Sequence, residues 1–195
     1  MKTTKSPIRF GLLTLMILTA ALSRIIPHAW NFAPIGAIAL FGAAYFSNRI
    51  IAFVIPLASM WLSDVVLNNT VYANSGNGVW LFPHHFPWNY LGFLLIIPVG
   101  LLLLKKVKTT SVTGTSLIAA IVFFLVSNFG IWLGNSLYKQ TFSGLMNCYA
   151  VAIPFFWNTL AGDLFYAALL FGVFELAQRR FPSLQINKQP IYQPL

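Results

Sequence analysis

Acidic side chains are almost missing from this sequence. Asp64, Asp163 and Glu175 are the three in 195 residues, and charged residues of both signs make up only 8%. A water-soluble domain of this length cannot cover its surface with so little charge, so that class is excluded. Cysteine occurs once, at Cys148, which excludes an intramolecular disulfide and any Cys-x-x-Cys metal or redox motif. Also missing are the Gly-x-Ser-x-Gly elbow, His-Glu-x-x-His, the P-loop and Gly-x-Gly-x-x-Gly. An ATPase within this chain is thereby excluded, and no catalytic residue is assigned.

Apolar residues fill the gap. They make up 58% of the chain, with a mean hydropathy of +0.76, so the solvent for most of the surface is lipid. A helix needs about 20 apolar residues to cross a bilayer. Length and breakers divide the sequence into six stretches, at about 10–26, 34–47, 50–68, 88–104, 112–137 and 151–177. The expected fold is all-α: one polytopic membrane domain over 1–195, a bundle of about six transmembrane helices. The second stretch is short and rich in small residues (Gly36, Ala37, Ala39, Gly42, Ala43, Ala44), which suits close helix packing more than lipid contact. Pro56, Pro98 and Pro154 fall inside apolar stretches, where each removes a backbone hydrogen bond.

The net charge of +9 does not signify nucleic-acid binding, because the basic residues sit between apolar stretches rather than on a folded soluble face. With six spans and a cytoplasmic N-terminus, ten of the twelve lie inside: Lys2, Lys5, Arg9, Arg49, the Lys105, Lys106 and Lys108 cluster, Arg179, Arg180 and Lys188. Only Arg24 and Lys139 lie outside. The positive-inside rule therefore favours a bacterial inner (cytoplasmic) membrane protein with both termini in the cytoplasm. Lys2 and Lys5 ahead of an apolar run through Thr19, Ala20 and Ala21 also resemble a signal peptide, but the run continues to Ile26, which favours a retained span. The larger loops, about 27–33, 69–87 and 138–150, then face outward, and the second of them is rich in turn residues and aromatics. Such an outer face suits capture of a small molecule.

The rare polar residues are the candidate site. Asp163, near the middle of the last stretch, must face the protein interior, with Thr159 and Tyr166 on its helical face. It reads either as a substrate or ion contact or as a buried acid that locks helices together. Asp64, near the outer end of its span, suits a wet, ligand-facing role, and Glu175 suits a surface pair with Arg179 four residues on. Asn31, Asn128, Trp132 and Asn158 could line an outward-opening polar and aromatic pocket, or serve as glue between helices. His84 and His85 join them from the outer loop. His28, His84, His85 and Cys148 are weak candidates for cobalt ligands of a corrinoid, since no His-x-x-x-His spacing supports a dedicated metal site. No resident cofactor is expected.

Several segments carry a family resemblance together: Arg24-Ile25-Ile26-Pro27-His28; Asn31-Phe32-Ala33-Pro34-Ile35-Gly36-Ala37; Ser63-Asp64; Ser127-Asn128-Phe129-Gly130; and Trp157-Asn158-Thr159-Leu160-Ala161-Gly162-Asp163. They resemble an uncharacterised family of small bacterial membrane proteins, itself similar to the substrate-binding S components of energy-coupling-factor (ECF) vitamin transporters. The resemblance implies an S-component-like bundle that takes up a vitamin-like molecule, with a corrinoid favoured, from the outer side. The implied partners are that substrate, the lipid bilayer and an energy-coupling module with ATPases. One departure stands out: the first span lacks an Ala-x-x-x-Ala docking motif, and the nearest equivalent is Ala39 and Ala43 in the second. The alternatives are a structural or assembly factor of a membrane complex and an intramembrane enzyme built on Asp64 or Asp163.

Overall fold

The computed structural model describes residues 7–71, 79, 81–82 and 86–185. Among them are six α-helices and no strand: α1 (Pro7–Leu22), α2 (Ile35–Tyr45), α3 (Arg49–Thr70), α4 (Phe86–Leu103), α5 (Thr109–Gly134) and α6 (Phe142–Arg180). The helices run alternately up and down. Arg9, Tyr45 and Glu175 meet at one end of the bundle, and Arg24, Asp64 and Tyr90 meet toward the other. These are called the Arg9 end and the Arg24 end.

Four segments are long and apolar enough to cross a membrane: Pro7–Ile25, Arg49–Thr70, Thr109–Gly134 and Phe142–Arg180. Their outward faces are apolar, with Leu15, Val54, Leu117, Ile121, Leu169 and Val173 all exposed. A soluble protein hides such a belt; here lipid covers it. The chain forms the all-helical membrane bundle that its composition predicts.

The second stretch departs from expectation. Its helix, α2, holds only 11 residues, a rise of about 16 Å against a hydrocarbon layer about 30 Å thick. It does not cross the bilayer by itself. Instead it forms the centre of the bundle, packed against α1, α3, α4, α5 and α6. Every residue from Gly36 to Ala43 is buried, as expected of a helix that is apolar all round. Small residues on α2 let the surrounding helices close in: a Cβ at Gly100 of α4 would stand 2.7 Å from that of Ala43. The rest of its path toward the Arg24 end is irregular chain, residues 26–34, exposed from Ile26 to Asn31 and buried at Ala33 and Pro34.

The last helix also differs from its predicted bounds. It begins at Phe142, so most of the expected outer loop 138–150 is helix and only 135–141 connects α5 to α6. The apolar count missed this start because Ser143, Gly144 and Asn147 dilute its first turns. Local chemistry marks it: the Thr141 hydroxyl accepts from Gly144 N at 3.2 Å, an N-cap. Trp132 Nε1 donates to Lys139 O at 3.0 Å and Gln140 Nε2 to Trp132 O at 2.7 Å, which pins the connecting turn. Pro56, Pro98 and Pro154 all lie inside helices, as the sequence suggests.

At the Arg9 end, buried Arg9 donates to Tyr45 O at 3.3 Å, to Gln178 Oε1 at 3.0 Å and to Leu184 O, with its guanidinium 5.0 Å from the Phe174 ring centroid. Glu175 does not pair with Arg179 as its spacing suggests. It accepts from Tyr45 Oη at 2.5 Å and from Gln178 Nε2 at 3.3 Å. The partner across the bundle displaces the one on the same helix because Tyr45 sits at the C-terminus of buried α2.

Gly162 shows how tightly the irregular segment is held. A Cβ there would lie 2.8 Å from Ala33 N and 3.0 Å from Ala33 O, and backbone cannot move aside as a flexible side chain can. Gly162→Ala is therefore expected to destabilise the protein by about 1–3 kcal/mol, read as a lower midpoint of thermal unfolding in detergent. Gly11→Ala, with nothing within 4 Å of the added carbon, is the matched control.

Candidate functional site

Asp163 lies on α6 beside the start of α2 and is 1% exposed. One carboxylate oxygen, Oδ1, accepts from Gly36 N at 2.7 Å and from Ala37 N at 3.2 Å. The first turn of a helix has backbone N–H groups without intrahelical acceptors and a partial positive charge, and a carboxylate satisfies both. Pro34, the residue just before α2, supplies no side-chain cap, so the cap comes from α6 instead. Gly36 is required by this arrangement, since a Cβ there would overlap the Asp163 carboxylate. The second oxygen, Oδ2, is buried without a hydrogen-bond partner among the described residues.

Of the two readings of Asp163, the geometry supplies the details of the helix lock: it joins α6 to α2. Thr159 and Tyr166, its predicted partners, bond elsewhere. Thr159 Oγ1 donates to Phe155 O at 3.1 Å, and Ser23 Oγ and Tyr166 Oη are 2.8 Å apart. Asn158 Nδ2 donates to Trp30 O at 2.9 Å, so it anchors the irregular segment. Within that segment Asn31 has φ 62°, the left-handed region that asparagine tolerates better than most residues.

Asp64 is not wet. It is 6% exposed and forms an ion pair with Arg24 at 2.7 Å, while Tyr90 Oη donates to its second oxygen at 2.8 Å. Arg24 also donates to Ser63 Oγ at 2.6 Å. This network ties the end of α1 to α3 and α4. The sequence separates Arg24 from Asp64 by 40 positions, so spacing alone could not pair them.

What remains of the predicted set converges on a cavity of 280 Å³ between α5, α6 and the irregular segment. Asn31, Asn128, Thr159 and Cys148 line it with Ser127 and Tyr138, and Phe123, Phe124, Phe155 and Phe156 complete its wall. Asn128 Nδ2 donates to Phe124 O at 2.8 Å and Ser127 Oγ to Phe123 O at 2.7 Å. The second Asn128 Nδ2–H, the asparagine amide oxygen and the hydroxyl lone pairs are left over for a ligand. Cys148 Sγ lies 3.6 Å from Asn128 O, which it approaches as donor.

Trp132 lies outside the cavity lining; its indole pins the α5–α6 turn. His84 and His85 lie outside the described residues, as does segment 74–78. His28 is exposed, with Nδ1 2.9 Å from Ala29 O. Among the described residues no group of three His, Cys, Asp or Glu side chains could hold a metal ion. The sequence sets Ser127 and Thr159 beside the asparagines as polar groups within spans, whereas it does not single out Tyr138.

Over residues 4–184 the chain matches the model of a family of unknown function, DUF6580. No curated protein and no solved structure matches it.

Proposed function

The chain belongs to the DUF6580 family, and we propose that it is a substrate-binding membrane subunit or solitary transporter for a small vitamin-like molecule, akin to the S components of ECF transporters. The observation that carries this reading is the 280 Å³ cavity, with asparagine and hydroxyl groups set among phenylalanines. An apolar and aromatic wall with a few convergent polar groups is the usual build of a small-molecule site. Its volume favours a compact molecule of one or two rings over a corrinoid, whose macrocycle would need the wall to open.

Charge supports the direction of capture. Arg9, Arg49, Lys105, Lys106, Lys108, Arg179 and Arg180 belong to the Arg9 end, while Arg24 and Lys139 belong to the other. The Arg9 end is then cytoplasmic in a bacterial inner membrane, and the cavity lies toward the outer half. If an energy-coupling module docks, it does not use the small-residue pair of α2: Ala39 and Ala43 are 0% and 6% exposed. The lipid-facing side of α1, where Gly11 has open space beside it, is the available surface.

The test is ligand retention. Purified in mild detergent from cells supplied with mixed vitamins, the protein is expected to carry one small molecule in stoichiometric amount, identified by mass spectrometry. Asn128→Leu and Thr159→Val should each weaken its retention by about tenfold, the effect of about 1.4 kcal/mol, while Trp132→Phe leaves it intact. A protein that is folded and reproducibly empty would overturn the reading in favour of a structural or assembly factor.

A further inference from the structure

A second space lies between α5 and α6 at the opposite end of the bundle from the proposed capture cavity. It has a volume of 560 Å³. Leu164, Ala168 and Gly172, one face of α6 at four-residue spacing, form one wall, and Val112 and Thr113 of α5 stand among the residues facing them. Ala168 and Gly172 are exposed, and a Cβ at Gly172 would meet nothing within 4 Å. The trough is thus open sideways to the hydrocarbon.

Its mouth is cationic. Lys108 and Arg179 border it together with the Thr109 and Thr113 side chains. Both cations are exposed, and among the described residues neither has a carboxylate at ion-pair distance, the ion pair found there being Arg24–Asp64. Glu175 also borders the space; its Oε1 accepts from Tyr45 and Gln178, and its one negative charge is outnumbered there by Lys108 and Arg179. Lys105, Lys106 and Arg180 add positive charge at the same end.

The length of the trough selects the occupant. Arg179 and Leu164 are fifteen residues apart on one helix, about 22 Å along its axis. One leaflet with its headgroup layer is half of about 40–45 Å. A basic group at headgroup level above an apolar trough one leaflet deep matches a phospholipid standing upright, and free phosphate would leave the trough empty. We infer that this groove is a binding site for an anionic phospholipid, with Lys108 and Arg179 on the phosphodiester and an acyl chain along Leu164, Ala168 and Gly172. The inference requires only that the chain sits in a bilayer, so it stands or falls separately from small-molecule capture.

Delipidated protein in mild detergent is titrated with phosphatidylglycerol, phosphatidylcholine and inorganic phosphate while its thermal midpoint is followed. Phosphatidylglycerol is expected to raise the midpoint more than phosphatidylcholine does, and phosphate to leave it unchanged. K108Q/R179Q, both at exposed positions, should match the wild-type midpoint without lipid yet lose the preference for phosphatidylglycerol. Gly172→Leu, which fills the trough, should reduce the response to both lipids. Equal responses to the two lipids in wild-type protein, an undiminished preference in K108Q/R179Q, or a shift produced by inorganic phosphate alone would each overturn the assignment.

Discussion

Asp163→Ala is expected to be among the most damaging single substitutions in the chain. It strips the acceptor from Gly36 N and Ala37 N, which lie 2.7 and 3.2 Å from Asp163 Oδ1, and both residues are buried with no solvent to replace it. A buried donor left unpaired costs about 1–3 kcal/mol, so the pair amounts to roughly 2–6 kcal/mol. Because α2 packs against every other helix, the loss is not confined to one contact. Thermal unfolding in detergent, followed by tryptophan fluorescence, should show a midpoint lowered by about 10 °C. Asp163→Asn keeps an oxygen for the two amides and should retain most of the stability. Equal damage from both variants would show that the negative charge, rather than the acceptor geometry, holds α2.

Arg24→Ala should be comparably severe. It leaves Asp64, 6% exposed, with Tyr90 Oη but without its cation. Removing one member of a buried pair costs about 3–5 kcal/mol, chiefly because the remaining charge is stranded. The Arg24 side chain keeps 15% of its exposure, so the lower end of that range applies. The double variant Arg24→Met with Asp64→Leu removes both charges and should recover part of the loss, the sign of direct coupling. A strictly additive double variant would mean that the two residues act independently.

The sequence made the solvent legible, and with it most of the architecture. Hydropathy and the distribution of basic residues are sums over many positions, so they survive errors of several residues at helix ends. Those sums misjudged α2, since a buried core helix and a short membrane span are equally apolar. Its small residues pointed to close packing, which is what Ala39, Gly42 and Ala43 do. The buried polar pairs were less legible. Asp163 was expected to face inward, and it does, yet its partners are backbone amides that no side-chain pattern encodes. Asp64 and Arg24 are 40 positions apart, and Glu175 turned from the neighbour on its own helix to Tyr45 on another. Asn128 and Thr159 reached one cavity because helix spacing set their faces, and Asn31 joined them from the irregular segment, while Trp132 and Asn158 went to hold the chain.

The account turns on α2 being a buried half-length helix whose first amides are sealed by Asp163. Hydrogen–deuterium exchange of the protein in lipid nanodiscs, read on peptides covering residues 33–45, tests this most directly. The account predicts that the Gly36 and Ala37 amides are strongly protected in the wild-type protein and exchange rapidly in Asp163→Ala, while α3 and α5 remain protected. Rapid exchange at these two amides in the wild-type protein, or protection unchanged by Asp163→Ala, would contradict it.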